Sequence, residues 1–363
     1  IAVLGVIAVL MAGAAMVQHR MSQNVHTADF ASSPLIEGLN IDAVNTITVS
    51  GVQDDQTTHL VQQDGRFVVA DKADYPADIT RINDLISKCL DIRTVEKITD
   101  NPDNHADLQV SEKTARYRVA FLNDQQAPIV TVLISPTDPE AGTAFARLQA
   151  ENAVYSIQSP PWLSTGPMDY IDAELLSVPP ESIGRVAVKT GGDSYVLTSP
   201  ENSDAITLEP MPAGKQFTGT VYETVFRALS SLRFEDVQPA SAVSDELAFD
   251  SSYHCKLNDL TVYKLAIAED QDAALVKVSA DYLDKTPVEK TVGEVETDEQ
   301  LKAKEAKLLA IDAVKAFNAA HDGWVYQIPS YKADPLTKPL SAIIEDVSPP
   351  ADPNAAPETG TEE

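Results

Sequence analysis

One stripe of apolar residues occurs twice in this chain of 363 residues, and it constrains the fold more than any other feature. Within residues 78–96, Ile82, Leu85, Ile86, Cys89 and Ile92 fall at i, i+3, i+4, i+7 and i+10, the spacing of one helix face. The same spacing returns 140 residues later as Tyr222, Val225, Phe226, Leu229 and Leu232, where Arg93 and Glu96 meet Arg233 and Asp236. Asp78 and Thr218 both suit an N-cap, whose side-chain oxygen accepts an orphan backbone N–H. Such self-similarity marks two copies of one supersecondary unit.

The flanks repeat as well. Before each helix stands a short alternating run, Ile47 to Val49 and Val186 to Val188, the mark of a half-buried strand. Two more strand-like runs follow in each copy, 58–61 and 67–69, then 195–197 and 206–208. After the helix, Tyr117, Val119 and Phe121 match Tyr263, Leu265 and Ile267 at an offset of 146, and 129–132 matches 275–278. Residues 154–157 match 325–328 at an offset of 171. Each unit therefore reads β-β-β-α-β-β-β. The expected class is α+β, two tandem similar domains, each an antiparallel sheet with a covering helix. They occupy residues 35–165 and 183–347, joined by a Pro-rich connector at 166–182. The second carries a helical insertion at 284–320. In it Ala303, Ala306, Ala310, Ala313 and Phe317 form a small-residue stripe suited to packing on its own domain.

Residues 1–17 carry no charged side chain, and as a helix they measure about 26 Å, close to the thickness of a bilayer core. Their length favours a transmembrane anchor contacting the lipid bilayer over a signal peptide cleaved at Ala12-Gly13-Ala14. Either reading exports the body behind a polar linker at 18–34. Residues 348–363 are Pro-rich and acidic and read as a disordered tail. The balance of 27 Lys and Arg against 55 Asp and Glu gives a net charge of -28, which repels phosphate backbones and anionic headgroups, so nucleic acid is excluded as a partner.

The chemistry-bearing residues give no catalytic, cofactor-binding or metal site. No nucleophile elbow, phosphate loop, dinucleotide fingerprint or zinc-protease helix occurs, and none of the six histidines has another at i+3 or i+4. The acidic run at 100–107 lacks the glycine turn and terminal Glu of a calcium loop and reads as a solvated turn. Cys89 stands on the helix stripe as a small core residue, which argues against a bridge to Cys255. His254 and Cys255 are adjacent in an extended run, so they point to opposite faces and do not form a catalytic pair. Trp162 and Trp324 are weighed as sugar-stacking platforms and read instead as sheet-edge core residues.

The stretches Gln63-Asp-Gly-Arg-Phe-Val-Val-Ala70, Asp74-Tyr-Pro-Ala-Asp78 and Gly323-Trp-Val-Tyr-Gln-Ile-Pro-Ser-Tyr-Lys-Ala-Asp334 resemble the family called domain of unknown function 4340. The resemblance covers nearly all of residues 1–347, and its motifs are structural signatures. It implies a bacterial, single-pass inner-membrane protein with a periplasmic body, encoded beside an ABC-type transporter of the gliding-motility kind. The expected function is that of a non-enzymatic accessory subunit, a binding or coupling platform for the permease and ATPase, with no cofactor. The rival expectation is an independent envelope module that binds glycan or lipid.

Overall fold

The computed structural model describes residues 32–347 apart from 52–54, 201–202, 204, 245, 271–272 and 289–296. The chain divides into two units, one ending at Ile171 and the other starting at Asp172.

The first unit is built on β1 (Ser33–Pro34), β2 (Thr46–Gly51), β3 (Gln56–Gln63), β4 (Arg66–Val69), β5 (Tyr75–Pro76), α1 (Ile79–Leu90), β6 (Arg93–Thr99), β7 (Tyr117–Leu122), β8 (Pro128–Ile134), β9 (Thr143–Leu148) and β10 (Val154–Gln158). Its strands form one antiparallel sheet in the order β1-β6-β10-β9-β8-β7-β2-β3-β4-β5. Asp78 caps α1 by accepting the Thr80 N–H at 2.8 Å. Ile82, Leu85, Ile86 and Cys89 are buried, as the stripe requires, with Ile47, Val49, Leu60, Val119, Phe121 and Val132 of the central strands. The helix ends at Leu90, so Arg93 and Glu96 lie in β6 and not on a helix. Part of the expected connector belongs to this unit. Arg81 donates to the Asp169 carbonyl at 2.6 Å, and the Asp78 N–H donates to the Tyr170 carbonyl at 2.8 Å.

The second unit comprises β11 (Glu174–Leu176), β12 (Ile183–Thr190), β13 (Asp193–Thr198), β14 (Thr207–Leu208), β15 (Lys215–Phe217), α2 (Val221–Phe226), β16 (Leu232–Arg233), β17 (Asp236–Pro239), β18 (Ser251–Leu257), β19 (Thr261–Asp270), β20 (Ala273–Tyr282), α3 (Asp298–His321), β21 (Trp324–Pro329), α4 (Ser330–Ala333), α5 (Leu340–Ile343) and β22 (Ile344–Asp346). Its main sheet runs β17-β21-β20-β19-β18-β12-β13-β14, while β11 pairs with β16 and β15 with β22. The order repeats that of the first unit strand for strand, with β17 for β6, β21 for β10, β20 for β9, β19 for β8, β18 for β7 and β12 for β2. The β1–β6 pair is likewise echoed by β11–β16. The Tyr253 hydroxyl of β18 donates to the Val225 carbonyl at 2.8 Å and ties α2 to the core face of this sheet. Thr218 does not cap α2; its N–H is spent on the Ile343 carbonyl, and Thr220 holds the cap position.

Several expectations are corrected by this architecture. The described residues are 39% strand against 24% helix, so the expected α+β class is corrected to a mostly β-sheet one. No helix among the described residues is long and apolar enough to cross a membrane. Residues 1–17, on which the anchor rested, lie outside the described residues, as do most of the 18–34 linker and the tail from 348. In each main sheet five strands follow the helix where three were expected, β6 to β10 in the first unit and β17 to β21 in the second. The pairing of β7 with β19 was a slip of one strand. Val119 stands opposite Val49 and Tyr253 stands opposite Val188, so Val119 corresponds to Tyr253, at an offset of 134.

Candidate interaction surface around the inserted helix

In the first unit β9 reaches β10 through residues 149–153, whereas between β20 and β21 the second unit inserts α3. A capping box starts this helix: the Thr297 hydroxyl accepts the Gln300 N–H, and the Gln300 side chain accepts the Thr297 N–H at 3.0 Å. Helix α3 is held on β20 by its C-terminal half. Asn318 bonds to both the N–H and the carbonyl of Ala280, Phe317 meets the Tyr263 ring edge-on at 5.2 Å, and His321 Nδ1 lies 2.6 Å from the Tyr326 hydroxyl. Burial lowers the His321 imidazole to about 4.

The face turned to the sheet is Lys307, Ile311, Val314, Phe317, Asn318 and His321, all partly buried. The expected stripe meets the sheet only in part: Phe317 makes the contact and Ala310 is partly buried, while Ala303, Ala306 and Ala313 are exposed. Larger apolar side chains carry the contact because a helix resting on a strand edge must fill more space than an alanine row can. Around the N-terminal half, Leu283, Leu301, Leu308 and Leu309 are 47% to 64% exposed. A groove of about 400 Å³ runs between the helix and the exit of β20, floored by Tyr282, Leu308, Ile311 and Val314 and walled by Pro287 and Val288. Its rim is charged. Lys307 donates to Asp284 at 2.6 Å and to Thr286 at 2.7 Å, and this pairing holds the Asp284 carboxyl well below its ordinary range. Lys285, bonded at 2.5 Å, lowers Asp281 in the same way. The arrangement offers apolar contact ringed by oriented charge, the chemistry of protein recognition.

Other residues singled out in the sequence are dispersed. Cys89 and Cys255 are both free and buried, and burial raises each thiol to about 12. His254 is exposed on the opposite side of β18 from Cys255. In the acidic run, Asn101 caps the 3-10 turn Pro102–His105 by accepting the Asp103 N–H at 3.1 Å. No group of three or more metal-ligating side chains occurs among the described residues. Trp162 is not a core residue: it is 69% exposed, with the Arg116 guanidinium 4.7 Å from its ring centre, while Trp324 is half-buried. The sequence reading missed Asn318, Lys307 and Asp284. A lone Asn facing the sheet near the end of an otherwise Ala- and Lys-rich helix was the available signal for the first.

No curated protein and no solved structure matches this chain. The family model described as a domain of unknown function, DUF4340, matches residues 68–252, from within β4 of the first unit to the start of β18 of the second. With half of its length matched across both copies, the chain belongs to the DUF4340 family.

Proposed function

We propose that this protein is a non-catalytic binding or coupling platform, an accessory subunit that works beside the permease and ATPase of an ABC-type transport system on the periplasmic side of a bacterial inner membrane. The observation that carries the platform reading is α3, an element without a counterpart in the first unit. It is fastened by its C-terminal half while Leu301, Leu308 and Leu309 stay in water. Covering a leucine is worth roughly 1.5–3 kcal/mol when burial is complete, so a partner that seats on this helix gains affinity at once. The transporter as that partner follows from the family resemblance. Purification of the tagged full-length chain in detergent tests it: the permease and ATPase should be retained, and Leu308→Asp with Leu309→Asp should release them. A partner set unchanged by the double variant, or lacking both subunits, overturns the reading.

A second reading, an envelope glycan-binding module, is favoured by Trp162, whose exposed ring is braced by Arg116. It expects quenching or shift of Trp162 fluorescence on adding cell-wall glycan, abolished in Trp162→Ala.

A further inference from the structure

The face of the second sheet turned away from α2 and α3 carries an array of cations. Strand alternation places Arg185 and Lys189 of β12, His254 and Lys256 of β18, and Lys264 of β19 on that side, while Val186, Val188, Tyr253, Cys255 and Leu265 point into the core. The register sets Arg185 directly opposite Lys256 and His254 directly opposite Lys264. Like charges facing each other across antiparallel strands destabilise a sheet, so packing does not account for them. Burial, and then Lys264, lower the His254 imidazole. The carboxylates nearby are spoken for: Asp281 pairs with Lys264 and Lys285, and Glu209 accepts the Thr198 hydroxyl. Among the described residues no ion pair holds Arg185, Lys189 or Lys256.

The internal repeat supplies the control. By the shared register, these five positions correspond to Thr46, Ser50, Ala120, Leu122 and Thr131 in the first unit, none of them ionisable. At the neighbouring position the difference runs the other way, with Arg118 standing where the second unit has Ser252. The two copies of one fold thus differ at five positions on one face, each positive or proton-accepting in the second unit, which makes this face a local exception to the repulsion of anionic headgroups by a chain of net charge -28.

The layout points to the ligand. The cations spread over three neighbouring strands in two dimensions, about 4.8 Å apart across strands and about 7 Å along them, instead of lining a groove. Ala187, Val196 and Ala266 between them give a floor of low relief along which lysine stems can lie. Flexible ammonium groups on a flat face match a plane of mobile anionic headgroups better than one rigid anion. We propose that this face docks on an anionic phospholipid surface, through Arg185, Lys189, Lys256 and Lys264. The proposal stands apart from the transporter reading, since it rests on the opposite side of the sheet from the exposed leucines of α3.

Lysine acetylation of the full-length chain, read residue by residue by mass spectrometry, tests it without depending on how the chain is otherwise held to a vesicle. Vesicles of phosphatidylcholine with about 30% phosphatidylglycerol should slow modification of Lys189, Lys256 and Lys264 by about threefold or more relative to phosphatidylcholine alone. Lys113 in the first unit should react equally in both. The protection should vanish at about 300 mM salt, where screening is short-ranged, and in the Arg185→Glu, Lys256→Glu variant, read at Lys189 and Lys264. Equal reactivity in the two vesicle types overturns the proposal. So does protection by soluble polyglutamate without protection by the anionic vesicles, which would assign the face to an acidic polypeptide.

Discussion

Asn318 clasps the backbone of Ala280 at both ends of its carboxamide: Oδ1 accepts the Ala280 N–H at 2.7 Å and Nδ2 donates to the Ala280 carbonyl at 2.8 Å. Strand β21 pairs with β20 only along residues 273–276, so Ala280 lies beyond its reach and α3 completes the edge instead. A sheet edge must satisfy its polar groups by some route. Asn318→Ala removes both bonds and should cost about 1–3 kcal/mol in urea denaturation, with faster hydrogen exchange at the Ala280 amide. An unchanged exchange rate would show that water serves the edge equally well.

Leu229 is fully buried on the stripe that repeats Cys89, whereas Leu309 on α3 is exposed. Leu229→Ala should lower stability by about 2–5 kcal/mol through lost burial and a residual cavity. Leu309→Ala should stay within about 0.5 kcal/mol. Chemical denaturation of the two variants side by side distinguishes a core position from an interface position of the same residue type.

The imidazole of His321 is lowered to about 4 by burial, below the 6.5 of an exposed histidine. Between those values the unfolded chain binds a proton that the folded chain refuses, so stability rises with pH through this window and falls as pH drops from 6.5 toward 4. Because the ring keeps some contact with water, the effect is on the order of 1 kcal/mol. His321→Asn should flatten that part of the stability profile; an unaltered slope would mean another group governs it.

Burial raises both thiols to about 12, which leaves almost no thiolate at neutral pH. A small alkylating reagent should therefore leave Cys89 and Cys255 unmodified in the folded chain and label both in guanidinium. Rapid native labelling of either would place it in an opening segment. Failure of both to label in denaturant without reductant would reveal a bridge.

Much of the fold could be read along the chain because its determinants are local. The helix stripe from Ile82 to Cys89, the Asp78 cap, and the alternation around Ile47 and Val186 each follow from neighbours within a few residues. Strand correspondence was harder. Tyr117-x-Val-x-Phe121 fits Tyr263-x-Leu-x-Ile267 as well as it fits Ser251-x-Tyr-x-Cys255, because alternation has the same period in every half-buried strand. What decides among them is the partner across the ladder, and Val49 and Val188 make that choice at long range. The same holds for the surfaces. His254-x-Lys256 and Arg185-x-x-x-Lys189 were visible as charges in alternation, yet their union on one plane depends on β12 and β18 being neighbours.

By itself, the sequence determined that the chain is duplicated, that each copy pairs one amphipathic helix with alternating strands, and that α3 interrupts the second. Apolar periodicity and capping are short-range, so they are written where they act. The tertiary structure decided the sheet order, which of the stripe residues on α3 meet the sheet, and the gathering of cations on one face. Each of these depends on contacts between residues far apart in the chain, where many pairings are equally compatible with the local pattern and the best joint burial selects one.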